Sequence, residues 1–187
     1  MSKQESDAEE SASAILGALA TDETKRDSTS VQRSVPEDWK EQGPYRVWTS
    51  ISTPPGKDGP AAFAIIMRNA IGQEKLLVGW RMQISSHEID LHAVITALEE
   101  VPCGAAIHIT TPSQVSADGF NKWLRWWQLQ DWRNSAGRPI THPLLWQRIV
   151  NLANDRAVVV ERCAKKRPKE ARRALAIAQA HMASVAC

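Results

Sequence analysis

The run His87-Glu88-Ile89-Asp90-Leu91-His92 places two imidazoles and two carboxylates within six residues. These are side chains able to move protons or ligate a metal. In a helix, Glu88 and His92 are i, i+4 neighbours on one face, a spacing that can chelate zinc. The H-E-x-x-H order is absent, however, and no third ligand is evident. A solvated helix start with its acids near the positive end of the helix dipole accounts for the run more simply, so no metal site is expected there. A second concentration is cationic: Arg162, Lys165, Lys166, Arg167, Lys169, Arg172 and Arg173 put seven positive charges into twelve residues. Such a cluster can bind a polyphosphate backbone electrostatically and with strong salt dependence; a solvated basic helix start with no ligand is the plainer alternative.

Charge is unevenly spread along the chain. Residues 1–43 carry 5 basic against 10 acidic side chains, and residues 44–187 carry 18 against 11. An acidic tail thus precedes a basic body, a balance compatible with nucleic-acid contact. The first 43 residues are rich in Ser, Glu, Asp, Thr and Lys and lack an aromatic before Trp39, so they cannot bury enough surface to offset the cost of ordering. They are predicted to be disordered, with Ala12 to Ala20 a short helix of the kind that orders on a protein partner. Residues 44–187 suffice for one domain with a sizeable core. Cys103, Cys163 and Cys187 are odd in number and form no C-x-x-C pair, which points to free thiols in a reducing compartment. No secretory signal is evident, and the longest apolar run, Ala61 to Met67, is far too short to span a bilayer. A soluble intracellular protein is expected.

The elements that would position these side chains begin at Tyr45. Three β-type runs, YRVWTSIS, AAFAIIMRN and EKLLVGWRMQ, are separated by turn residues and predict an antiparallel meander. Ser86 is expected to cap a helix, HEIDLHAVITALEE, whose apolar positions Ile89, Val94, Ala97 and Leu98 recur at helical spacing. A strand at Ala105 to Thr111, a helix start at Pro112-Ser113, a strand at Ala157 to Val160 and a last helix opened by Pro168 follow. With strands four and five entered after helical crossovers, the order predicts an α/β fold: a five-stranded mixed sheet flanked by helices.

Between strands four and five lies the least average stretch of the chain. It holds five of the eight tryptophans, with Trp123, Trp126 and Trp127 at i, i+3 and i+4 and Trp132 before the loop Asn134-Ser135-Ala136-Gly137-Arg138-Pro139. A helix, a protruding loop and a second helix holding Trp146 are expected, with Trp123 and Trp146 in the core and the other indoles free to grip a partner. The residue order SADGFNKWLRWWQLQDWRNSAGRPITHPLLWQRIVNLAND resembles type 1 ribonuclease H, in which a Trp-rich turn leads through a handle loop to a helix beginning near Leu-Trp-Gln-Arg. The resemblance extends to GPAAFAIIM, DLHAVITALEE and IHITTPSQV upstream, and to AVVVERC and RPKEARRALAIAQA downstream, roughly residues 45–182.

What the resemblance implies is cleavage of the RNA strand of an RNA/DNA hybrid by two Mg²⁺ ions held on four acids, with an assisting histidine. At the matching positions this chain has Ser50, or Ile51 if the following loop is aligned without a gap, then Asp90, Pro112 and Ala174, with Ala164 in place of the histidine. One carboxylate of four cannot hold a pair of divalent ions. Asp58, Glu88 and Asp118 are the acids that could rebuild a site. The resemblance further places backbone contacts at Ser85, Ser86, His87, Gln114 and His142. Lys57 in the first turn could add a charge, as could Lys165, Lys166, Arg167 and Lys169. The expected function is therefore an inactive nucleic-acid-binding relative, taking RNA/DNA hybrid or structured RNA and needing no cofactor. Two alternatives stand beside it: a ribonuclease H with a rearranged Mg²⁺ site, and a protein-interaction module using the tail or the Trp-rich handle.

Overall fold

The computed structural model describes residues 43–54, 59–163 and 165–185. Lys57, Asp58, Ala164 and the acidic tail up to residue 42 lie outside the described residues, as does Cys187. The strands are β1 (Tyr45–Ser52), β2 (Pro60–Arg68), β3 (Glu74–Met82), β4 (Ala106–Thr111) and β5 (Ala157–Arg162). The helices are α1 (Ser86–Glu100), α2 (Gln114–Asp118), α3 (Leu124–Leu129), α4 (Pro143–Ala153) and α5 (Lys169–Val185), with a π-helical turn at Gly119–Trp123 between α2 and α3.

The sheet runs β3-β2-β1-β4-β5. β1 pairs antiparallel with β2, from Arg46↔Arg68 to Ser52↔Ala62, and parallel with β4, from Tyr45↔Ile107 to Trp48↔Thr110. β4 and β5 are also parallel. This is the predicted five-stranded mixed sheet. β2 has no apolar/polar alternation because both of its faces are covered: Phe63, Ile65 and Met67 join the core beneath α1, while Ala64 and Ile66 pack with Ala174 and Ala178 of α5. On β1 the same alternation sends Tyr45 and Val47 to the α1 side, and Trp48 and Ser50 to the α5 side.

Local chemistry accounts for most boundaries. The cap of α1 is Ser85 and not Ser86: its side chain accepts a hydrogen bond from the Glu88 backbone N–H at 3.1 Å. Ser113 caps α2 in the same way, through the Ser116 N–H. At the far end of α1, Arg156 donates to the Val101 carbonyl from Nε at 2.9 Å and from Nη2 at 2.7 Å, tying the helix exit to the approach to β5. The loop after α3 is closed by the Trp132 N–H donating to the Trp127 carbonyl at 2.8 Å and the Ile140 N–H donating to the Trp132 carbonyl at 2.9 Å. Between them Asn134 Oδ1 accepts from the backbone N–H groups of Ala136 and Arg138, which shapes an exposed handle.

The tryptophans sort differently from the expectation. Trp146 is 1 % exposed, whereas Trp123 is 41 % exposed. Trp127 and Trp132 take the partly buried places against the core instead. The reason is the π-helical turn ending at Trp123: one extra residue per turn rotates this indole relative to α3, so it stacks on the outer side of Trp127 with ring centroids 5.6 Å apart. Trp127 in turn meets Trp146 edge-on at 5.2 Å. Gly119 makes this stack possible, since a Cβ there would lie 2.5 Å from the Trp146 ring. Trp146→Ala should therefore cost about 3–5 kcal/mol. Gly119→Ala should cost about 1–3 kcal/mol through overpacking. Leu129→Ala, 73 % exposed on the handle side, should change stability by about half a kcal/mol or less. Urea midpoints of the three variants measure the order, and a Leu129→Ala loss matching that of Trp146→Ala would refute this packing.

Candidate functional site

Because β1 and β4 are parallel neighbours, their C-terminal ends open on the same edge of the sheet, next to the start of α1. A groove of about 310 Å³ lies there, lined by Ile51, Ser86, His87, Pro112, Ser113, Val115, Arg167 and Leu175. A second cleft of about 420 Å³ shares Pro112 and Arg167 with it and adds Arg162, Cys163 and Lys165. The first is mainly apolar. The second is lined by three cations.

The positions proposed for the metal-binding acids do not converge on this groove. Ser50 points to the other face of the sheet, where its buried hydroxyl donates to the Ala171 carbonyl of α5 at 3.1 Å. Ile51, its neighbour, is the β1 residue in the groove, because one step along a strand reverses the face a side chain takes. Ala174 is likewise buried against the sheet, and Leu175 is the α5 residue that reaches the groove. Pro112 lines both clefts.

Asp90 is 0 % exposed. Thr111 Oγ1 donates to one carboxylate oxygen at 2.9 Å and Ser116 Oγ donates to the other. Thr111 Oγ1 also accepts from the Ser113 backbone N–H at 3.1 Å, so the cluster bolts α1 to the end of β4 and the start of α2. Burial pushes the Asp90 carboxyl above its ordinary range, against the hydrogen bonds of Ser116, Thr111 and Ser113, which pull it down. Glu88 and Asp118 are elsewhere. Glu88 faces His142, with Nδ1 of the imidazole 4.0 Å away. Asp118 pairs with Lys122 at 2.7 Å and accepts from Gln114.

The proposed contact residues fall into two groups. Ser86 and His87 line the groove, and the His87 ring meets His142 edge-on at 5.5 Å and lies 6.2 Å from Trp146. Burial lowers the His87 pKa, and His142 lowers it further. Ser85, occupied as a helix cap, sits 3.4 Å from His142 Nε2. Across the groove, Gln114 accepts from Arg162 Nη1 at 2.8 Å. Arg167 and Lys165 line the cationic cleft, while Lys166 and Lys169 are exposed beside it. The basic cluster is thereby divided: Arg173 turns away to pair with Glu74 of β3. Ser113, Val115, Leu175 and Cys163 join the two clefts without a motif to mark them: helical spacing from Pro168 through Ala171 to Leu175 is the one sequence signal, Ser113 and Val115 depend on how β4 and α2 meet, and Cys163 depends on the pairing of β5 with β4.

The fold that carries these clefts belongs to a known class. Residues 49–165 match the RNase H family model, and the chain belongs to that family. Among curated relatives, ribonuclease H of Alkalilimnicola ehrlichii is 31 % identical over 94 residues, covering 50 % of this chain and 64 % of that protein. Ribonuclease HI of Xylella fastidiosa is 33 % identical over 96 residues, covering 50 % and 62 %. The chain thus spans somewhat less than two thirds of the length of these relatives. The fold is shared with the crystal structure of a type 1 RNase H with the type 2 active-site motif, at a TM-score of 0.66 and 19 % identity over 81 % of this chain and 75 % of that one. It is also shared with the foamy viral protease-reverse transcriptase in complex with RNA/DNA hybrid, at a TM-score of 0.60 and 17 % identity over 81 % of this chain and 23 % of that one.

Asp90→Ala should leave the Thr111 and Ser116 hydroxyls unpaired in a dry site and cost about 2–3 kcal/mol. Asp90→Asn keeps the shape and one acceptor and should cost clearly less; equal losses in chemical denaturation would rule out the clasp. A pH dependence also follows from His92, whose pKa is lowered from 6.5 to about 4 by burial, then by Arg81, Arg148 and His142. The unfolded chain takes up this proton at about 6.5 and the folded chain only near 4, so the His92 contribution is complete above 6.5 and is lost as the pH falls through that window. The stability difference between wild type and His92→Asn should be flat at neutral pH and shift against the wild type in acid; a difference constant from neutral to pH 4 would refute it.

Proposed function

We propose that this chain binds nucleic acid of the RNA/DNA-hybrid kind along the groove at the ends of β1 and β4, and does not cut it by two-metal hydrolysis. The observation that carries this reading is the groove's lining: no carboxylate among the described lining residues, with both oxygens of the one matching acid, Asp90, taken up by hydroxyls in the interior. Mg²⁺ demands oxygen ligands, chiefly carboxylates, and two-metal sites place several of them around ions roughly 4 Å apart. Beside its apolar residues the lining offers the hydroxyls of Ser86 and Ser113 and the imidazole of His87, but no carboxylate. The described lining residues therefore do not fit a Mg²⁺ pair. Binding is supported separately, by the cations of the second cleft and by the hybrid held by the foamy viral protein of the same fold.

Cleavage is the second reading, favoured by the name ribonuclease H on relatives 31–33 % identical to this chain. It would need ligands other than the residues lining the groove. A labelled RNA/DNA hybrid, incubated with Mg²⁺ or Mn²⁺ and analysed for binding and cleavage in one sample, separates the two. Salt-sensitive binding without products is expected. Metal-dependent turnover that disappears in Asp90→Asn would overturn the non-cleaving reading, and absence of both activities with a co-purifying protein would favour a protein-interaction role.

The salt dependence is itself predictive. If Lys165, Lys166, Arg167 and Lys169 contact phosphates, changing all four to Gln should flatten the slope of log affinity against log salt by up to about four units, with little change in stability. An unchanged slope would remove these residues from the interface.

A further inference from the structure

We propose that the cleft formed by Arg162, Lys165 and Arg167 against Pro112, which is the one position matched to a metal-binding acid among its lining residues, is a metal-independent site for one backbone phosphodiester. The proposal rests on the nucleic-acid reading above and names the contact that anchors it.

The geometry has three parts. Arg162 ends β5, Lys165 and Arg167 lie in the connection to α5, and Pro112 follows β4 on the opposite wall of a cleft of about 420 Å³. None of the three cations has a carboxylate within ion-pair distance among the described residues. The nearby acids have their main partners elsewhere: Glu161 accepts from Thr110 at 3.2 Å and faces His108 at 3.2 Å, and Asp118 is held first by Lys122 and Gln114, with Arg162 the smallest of the charges acting on it. Among the described residues the hydrogen-bond partner of the Arg162 side chain is the neutral amide oxygen of Gln114, at 2.8 Å, which fixes the guanidinium without discharging it. Finally, the cleft opens through Arg167 and Pro112 into the groove walled by Ile51, Val115 and Leu175, apolar surface suited to the sugar on one side of a phosphate.

Three like charges facing one space repel each other, and an anion with two non-bridging oxygens relieves that repulsion while matching the fork of a guanidinium. The apolar residues and proline at the groove point the same way. Carboxylates placed there without metal would repel a phosphate, whereas Ile51, Pro112 and Leu175 do not. A groove wall without carboxylates beside a cleft lined by three cations thus favours taking the phosphate directly.

The test uses the full chain, a short RNA/DNA hybrid and fluorescence anisotropy, with EDTA present or replaced by Mg²⁺. Wild-type affinity should be no weaker in EDTA than in Mg²⁺. The double variant Arg162→Gln/Arg167→Gln should bind about tenfold to hundredfold more weakly, as expected when charge-assisted contacts are lost. Arg46→Gln, at the opposite end of β1, should bind as wild type, and the thermal midpoint of the double variant confirms that it folds. Hybrids carrying a single neutral methylphosphonate, scanned along each strand, should reveal a linkage whose neutralisation weakens the wild type but not the double variant. A scan that weakens both proteins alike, a double variant no weaker than Arg46→Gln, or binding that requires Mg²⁺ would overturn the proposal. So would a flat scan in which inorganic phosphate at matched ionic strength displaces the hybrid from the wild type alone, since the cleft would then take free phosphate. Failure of the wild type to bind hybrid under any condition would refute the nucleic-acid reading itself, a separate outcome.

Discussion

Asp90 joins three elements through two hydroxyls. Its oxygens accept from Thr111 at the end of β4 and from Ser116 in α2, and it reaches both from the first turns of α1. A buried carboxylate without such partners would be strongly unfavourable, so its presence requires α1, β4 and α2 to meet in one arrangement. That arrangement sets the direction in which Pro112 and Ser113 leave the sheet, and with it one wall of the groove. The same contacts withdraw from the groove the one side chain whose position suits metal chemistry.

The covering of the sheet by helices has a comparable influence on the other wall. α5 lies on the sheet through small side chains, Ala171, Ala174 and Ala178, which let the helix approach β1 and β2 closely. Close approach makes Ser50 an interior donor to the Ala171 carbonyl and leaves Leu175 on the flank that faces Ile51. The approach of α5 therefore decides both what is hidden and what lines the groove. On the opposite side, the Trp127–Trp146 contact and the absence of a side chain at Gly119 hold the segment after β4 against α4, and place His142 beside Ser85 and His87.

Electrostatics divides the site into regions of different character. The end near α1 is aromatic and imidazole-rich, with His87 and His142 edge to edge, and burial disfavours the charged form of His87. The end near α5 is cationic, with no ion pair to Arg162, Lys165 or Arg167 among the described residues. Long-range attraction of a polyanion would come from the second end, and contacts to sugar and bases from the first. No described helix is long and apolar enough to cross a membrane.

Membership of the RNase H family was legible in the sequence because periodicity and punctuation are local. The apolar run of β2, the helical spacing of α1, Pro168 before α5 and the unbroken interval from Trp132 to Trp146 each survive without knowledge of their neighbours. The cationic cluster was legible as a count of charges. What the count could not show is that Arg162 and Arg167 face one cleft while Arg173 leaves it for Glu74, because that depends on where β3 and β5 lie relative to α5. Which neighbour lines the groove was not legible either: Ile51 and Leu175 do, while Ser50 and Ala174 are buried, since one residue reverses a strand's face and turns a helix by about 100°. Trp123 was assigned to the interior because an α-helical count ignores the π-helical turn that carries it outward. Chain order thus determined the class of fold and the residue types available to it; whether a given carboxylate, indole or guanidinium faces solvent, core or groove was decided by the packing of elements distant in sequence.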